Sequence, residues 1–208
     1  MSFQEENYTV IEEAISKELA AFLYNYFKIR RLATNAYFNH GIIKPEEKMF
    51  GTYNDPQIPN TFSIYGDVAF DTLLIKLQNK MQEVTGLSLY PNYSYARLYK
   101  TGDELHRHKD RFSCEISTTL FLGGDKWPIF LEPSGKKGKA GKRIDLNTGD
   151  MLVYKGNILE HWRDPFSGGE SAQVFLHYTN TKTKGALENI YDGRPHVGVP
   201  NDKISRKV

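Results

Sequence analysis

The sequence has little of several things, and each scarcity excludes something. One cysteine, Cys114, stands in 208 residues. No internal disulfide can form, which removes the disulfide-stapled secreted scaffolds and makes a reducing cytoplasm the expected compartment. No apolar run approaches the ~18 residues that would cross a membrane. The opening "MSFQEENYTV" has no basic stretch followed by an apolar one, so no secretory signal is expected. Charge of either sign is not in surplus: the formal net charge is +2 at pH 7. A nucleic-acid-binding face would need a clustered basic excess, so nucleic acid is not an expected partner. There is no internal repeat and no low-complexity segment.

What is present is a soluble-type composition, 25% charged and 39% hydrophobic, with a rich 13% of aromatics. The length suffices for one domain with a substantial core. The first third reads helical. Apolar residues recur at 11, 15, 19, 22, 23, 26 and 27, the spacing of one helix face, which predicts a helix over Ile11–Phe27. A second is predicted over Asp67–Val84, with Gly86 as its stop. The intervening "FGTYNDPQIPNTFSIYG" reads as a loop. From Ser88 the chain breaks into short β-branched and aromatic runs: "YSYARLYK", "CEISTTLFL", "WPIFLEP", "DMLVYKG", "LEHWR" and "AQVFLHYT". Turn signals such as "TGD", "LGGD" and "FSGG" separate them. Strands so spaced, with no helical period between, predict an antiparallel sandwich or jelly roll. The expected arrangement is one domain over 1–208: helical support at about 1–87, a jelly-roll core at about 88–180, and an irregular extension at about 181–208.

The stretch "ELHRHKDRFSCEIS" places His106, His108 and Asp110 at alternate positions. If 104–110 is a strand, all three share a face. His161, in the strand candidate "LEHWR", follows Asp110 by 51 residues. Two histidines and one carboxylate occupy one face of an octahedron and leave three positions open. That arrangement suits non-haem Fe(II), which must bind a co-substrate and O₂ together. A structural zinc would take four protein ligands.

Over residues 88–180 the chain resembles the Fe(II)/2-oxoglutarate-dependent oxygenases, in particular their prolyl-4-hydroxylase-like branch. The resemblance rests on His108-x-Asp110, on the histidine about fifty residues later, and on the tyrosine and glycine of "YKTG" before the first ligand. It implies a double-stranded β-helix, a jelly-roll, cupin-like fold of α+β, mainly β, class with the N-terminal helices packed on one sheet. It implies His108, Asp110 and His161 as the iron ligands and catalytic centre, with His106 a neighbour outside the set. It also implies 2-oxoglutarate and O₂ as co-substrates, ascorbate as an accessory reductant, succinate and CO₂ as products, and hydroxylation of a prolyl or other peptidyl C–H bond. A carboxylate at position 110 fits hydroxylation; related halogenases carry a small residue there.

The usual basic anchor for the 2-oxoglutarate 5-carboxylate would fall at Glu170, Ser171 or Ala172, and none is basic. Arg163, two residues past His161, is the alternative, against a salt bridge to Asp164 or Glu160. Tyr99 matches the family's co-substrate tyrosine. Thr119, with Ser117, and Gln173 are further candidates for that pocket, and Ile129 and Leu131 for its apolar wall. The basic run "GKKGKAGKR" at 135–143 reads as a solvated loop, or as a steering patch for an acidic peptide or phosphate backbone. Competing readings are a hydroxylase of a free amino acid or small metabolite, one acting on an alkylated base, and a non-catalytic cupin-like metal-binding module.

Overall fold

Alternation of apolar and polar side chains along the strands after Ser88 produces two facing antiparallel sheets. The computed structural model describes residues 3–44 and 46–199. The elements in chain order are α1 (Phe3–Glu6), β1 (Tyr8–Ile11), α2 (Lys17–Asn39), β2 (Phe62–Tyr65), α3 (Val68–Thr85), β3 (Leu89–Lys100), β4 (Leu105–His108), β5 (Ile116–Gly124), β6 (Ile129–Leu131), β7 (Lys142–Ile144), β8 (Met151–Lys155), β9 (His161–Arg163) and β10 (Glu170–Asn180). The larger sheet has the order β1-β8-β5-β10-β3-β2, and the smaller β4-β9-β6-β7. All pairings between these strands are antiparallel. This is the expected jelly roll.

Helices α2 and α3 cover the outer face of the larger sheet. Leu23 and Phe27 of α2 and Phe70, Leu74 and Met81 of α3 join Ala96, Leu98, Leu120, Val153, Val174 and Leu176 in one buried cluster. Phe27 meets Phe70 edge-on at 5.3 Å between ring centres. Each such fully buried side chain contributes about 1.5–3 kcal/mol. The opposite face of the same strands points into the roll, and there the residues are polar and aromatic.

Helix α3 lies one residue from its expected span. Asp67 caps its start, accepting from the Ala69 amide at 2.9 Å, and Gly86 ends it at φ +65°. The first expected helix is displaced. Tyr8–Ile11 is an edge strand paired with β8, and the helix begins only after Ser16, whose hydroxyl accepts from the Leu19 amide. It then runs to Asn39, twelve residues past Phe27. The expected loop before α3 also hides β2, a short edge strand on β3. Of the extension, Thr183 bonds Glu115 and Asn189 bonds Ser113, Arg194 and Gly198 reach Asp71 of α3, and 200–208 lie outside the described residues. Among the described residues no helix is long and apolar enough to cross a membrane.

Candidate metal centre and active site

Strand β4 does not alternate simply. Leu105 pairs with Arg163 and His108 with His161, so three steps on β4 oppose two on β9. That extra residue is a β-bulge. Arg107 lies over the Trp162 ring at 4.1 Å, which makes His106 the supernumerary residue. Its side chain is 81% exposed, beside Glu104 at 3.2 Å. The expected common face for His106, His108 and Asp110 is therefore corrected: the bulge turns Leu105 and His108 inward and His106 out.

The chain leaves β4 after His108 and is caught again where the Asp110 amide donates to the Gly156 carbonyl at 2.9 Å. This swings the Asp110 carboxylate between the two imidazoles. Its Oδ1 is 3.6 Å from His108 Nε2 and 3.5 Å from His161 Nε2. One ligand atom from each of the three residues lies within 4.8 Å of the others. A side chain at Gly156 would overlap the Asp110 carboxylate and the Ser117 hydroxyl, so only glycine allows this approach. The histidines are oriented from behind. His108 Nδ1 donates to the His106 carbonyl at 2.7 Å and His161 Nδ1 to that of Leu159 at 3.1 Å. Both Nε2 atoms thereby face Asp110, the atoms through which such back-bonded histidines would ligate a metal.

Burial alone would raise the Asp110 carboxyl. The charge of His161 and hydrogen bonds from His108 and His161 outweigh it and hold the group well below its ordinary value. Asp110 Oδ2 also accepts from Ser117 Oγ at 2.7 Å, and Ser117 Oγ accepts in turn from His177 Nδ1 at 3.0 Å. Burial pushes His177 down to about 4, so it is neutral near neutral pH. Asp110, Cys114 and His177 form a second close trio. In it, burial pushes the Cys114 thiol up to about 12, and the Tyr93 hydroxyl lies 2.9 Å from its sulfur.

The four residues expected around 2-oxoglutarate are all buried inside the roll: Tyr99, Thr119, Arg163 and Gln173. Thr119 Oγ1 donates to Gln173 Oε1 at 3.1 Å and accepts from Arg163 Nη2 at 3.2 Å. Arg163 also donates to the Trp127 carbonyl and lies over the Trp127 ring at 5.1 Å. Its Nε has no partner, and no carboxylate of the described residues pairs with it. The rival salt bridge is absent: Glu160 is taken by Arg107 at 2.7 Å. Burial pushes the Arg163 guanidinium down to about 10. A buried cation without an anion is costly, and an incoming carboxylate removes that cost.

The cavity in front of the triad measures about 190 Å³. Ile129 lines it as expected, whereas Leu131 packs behind, against Leu152 and Tyr154. The unanticipated lining residues include Tyr95, Arg97, Asp55 and Gln57. Tyr95 and Arg97 stand on β3 four and two positions before Tyr99, so alternation from Tyr99 could have found them. Asp55 and Gln57 arrive from the segment between α2 and β2, which has no period to read. The basic loop 135–143 is tied down by its backbone: Lys109 Nζ donates to the Gly135 carbonyl and the Gly138 amide to Glu160.

No protein-family model matches the sequence, and no curated protein does. Solved structures match in shape. A prolyl-4-hydroxylase of Pseudomonas putida aligns at TM-score 0.60 with 14% identity, over 86% of this chain and 95% of that one. HygX of Streptomyces hygroscopicus, solved with nickel and 2-oxoglutarate bound, aligns at 0.61 with 12% identity, over 86% and 85%. SnoK, a non-haem α-ketoglutarate-dependent carbocyclase from nogalamycin biosynthesis, aligns at 0.59 with 10% identity, over 96% and 90%. At such identities the likeness is one of fold, and the fold of this chain is that of the 2-oxoglutarate/Fe(II) oxygenases.

Proposed function

We propose that the protein is an Fe(II)- and 2-oxoglutarate-dependent dioxygenase that hydroxylates an unactivated C–H bond. The observation that supports this best is Arg163. A buried guanidinium with no carboxylate partner stands on the same inward face as His161, one strand-repeat along β9. His108, Asp110 and His161 would hold the metal, and three ligands leave room for co-substrate and O₂. Bound together, metal and 2-oxoglutarate supply O₂ activation, with 2-oxoglutarate split to succinate and CO₂ as one oxygen atom enters the substrate.

The chain's own residues do the rest. Arg163 offers its planar fork to the distal carboxylate, and Thr119 and Tyr99 add hydroxyls. Gln173 holds Thr119 in place. Ile129, Leu105 and Phe175 make the apolar side of the cavity and limit water. Asp110 fills the position that a halide would otherwise take.

The substrate is a prolyl or other peptidyl residue, or a free amino acid or small metabolite of that size. Iron, 2-oxoglutarate and O₂, with ascorbate as reductant, complete the reaction.

The test is succinate release from 2-oxoglutarate by the full chain in air. Slow, Fe(II)-dependent release is expected without any prime substrate, and none above background from Asp110→Ala. A wild-type protein that bound Fe(II) more tightly than Asp110→Ala yet released no succinate would refute the reading and leave the metal-binding module in its place; one that bound Fe(II) no better than the variant would refute both.

A further inference from the structure

We propose that Arg97 and Tyr95 form a carboxylate-binding subsite for the prime substrate, occupied here by Asp55 as an internal stand-in. The inference deepens the oxygenase reading and rests on it.

Arg97 lies at the middle of β3 on its inward face, and its side chain is 3% exposed. It pairs with the Asp55 carboxylate, and the Tyr95 hydroxyl donates to the same oxygen. Its Nη1 also donates to Gln57 Oε1 at 3.1 Å and to the Tyr99 hydroxyl at 3.3 Å. Its Nε is buried without a partner. A guanidinium and a phenol aimed at one oxygen make a carboxylate receptor, and this one opens on the same cavity as His108 and Asp110. Another deeply buried Arg–Asp pair among the described residues is different. Arg194 and Asp71 meet at 2.8 Å on the helix side of the sheet, and neither lines that cavity.

The anion, unlike the cation, is not held by a strand. Asp55 belongs to residues 46–61, which form neither helix nor strand apart from one bridge at Thr52. Gln57, held to it by an amide-to-carboxylate turn at 2.8 Å, extends further into the site. Its Nε2 lies 3.1 Å from His108 Nε2. A metal ion needs that lone pair, so loading the triad displaces the Gln57 amide. Asp55 is two residues away on the same turn and loses a companion contact, since Gln57 also accepts from Arg97. A substrate carboxylate then has only to exchange with a tethered one. That exchange needs no new desolvation of Arg97, whereas a neutral group could take the place of Asp55 only by leaving the guanidinium buried and unpaired. The site therefore selects for a carboxylate near the carbon to be oxidised. The carboxylate can be the α-carboxylate of a free amino acid or the side chain of a peptidyl aspartate or glutamate.

The experiment is calorimetric titration of the full chain, loaded with Ni(II) and 2-oxoglutarate so that nothing turns over. The probes are free L-amino acids against their α-amides, and end-blocked Gly-Glu-Gly against Gly-Gln-Gly. At least one acid is expected to bind about tenfold or more tightly than its amide, and the pair that discriminates identifies the source of the carboxylate. Asp55→Asn, a change on an irregular segment, should tighten acid binding several-fold and leave amide binding alone, because it removes the tethered competitor. Arg97→Lys should weaken acid binding. The subsite is overturned if no acid outbinds its amide, if Asp55→Asn leaves acid affinity unchanged, or if Arg97→Lys lowers 2-oxoglutarate affinity as much as probe affinity. The last result would assign Arg97 to the co-substrate. Succinate release by the wild type, run in parallel, keeps the two readings apart: acid selection without succinate fails the oxygenase alone, and succinate without acid selection fails the subsite alone.

Discussion

Arg163 and His177 are both fully buried ionisable groups, and each makes a measurable commitment. Removing one partner of a buried charge pair costs ~2–5 kcal/mol, so Arg163→Ala should weaken 2-oxoglutarate binding roughly thirtyfold or more. Metal stoichiometry should stay at that of the wild type. Arg163→Lys should recover part of the loss, since an ammonium lacks the two-pronged fork. Absorbance of the Fe(II)–2-oxoglutarate chelate measures both; a change below about threefold would move the anchor elsewhere. His177 acts on stability. Its folded pKa, about 4, lies below the ordinary 6.5 because burial disfavours the charged ring. Between those values the unfolded chain binds the extra proton, so stability is full above 6.5 and falls as pH drops toward 4. At pH 5 the metal-free protein should have lost about 2 kcal/mol from this residue relative to pH 7. Urea titrations of wild type and His177→Gln at the two pH values give that number as the difference between their losses.

At the scale of elements, β4 carries the sharpest prediction. His106 is the extra residue of the bulge, and Arg107 already faces Trp162 across the pair. Deleting His106 should let Leu105 and His108 stay inward on a regular strand, with metal binding within about twofold of wild type. Deleting Lys109 instead shortens the span to Asp110 and should abolish tight binding; equilibrium dialysis with Fe(II) or Ni(II) distinguishes them. This bulge also shows where sequence stops being legible. The spacing His108-x-Asp110 with a distant His161 could be read, because ligand chemistry demands those residue types, and the structure brings the three together. A period of two cannot reveal one surplus residue. The strands β1 and β2 are four residues long at sheet edges, too short for a period, and the apolar Ile11 and Ile15 imitate a helix that starts only at Lys17. Helix α3 was readable because cap, stripe and terminal glycine agree. Asp55 and Gln57 reach the cavity from irregular chain, where no pattern announces direction.

Across the whole molecule, the segment after β10 locks the helical layer to the roll. Arg194 is fully buried, pairs with Asp71 of α3 at 2.8 Å and donates to the Asn92 carbonyl of β3 at 3.0 Å. Asp71 in turn accepts from the amide and hydroxyl of Ser94. Breaking a buried pair by removing one member costs about 3–5 kcal/mol, so Arg194→Ala should lower the melting temperature by roughly 6–20 °C. Metal affinity measured well below that temperature should not change, because the contact lies on the far side of the sheet from the triad. That separation has an arithmetic form. On β3, β5 and β10 the even-numbered residues, such as Ala96, Leu98, Leu120, Val174 and Leu176, belong to the helix-packed layer. The odd-numbered ones, Tyr95, Arg97, Tyr99, Ser117, Thr119, Gln173 and His177, face into the roll on the side of the triad. Evolution, or a mutational library, can thus rewrite the lining of the roll along three strands by changing every second letter, while the letters between keep the protein folded.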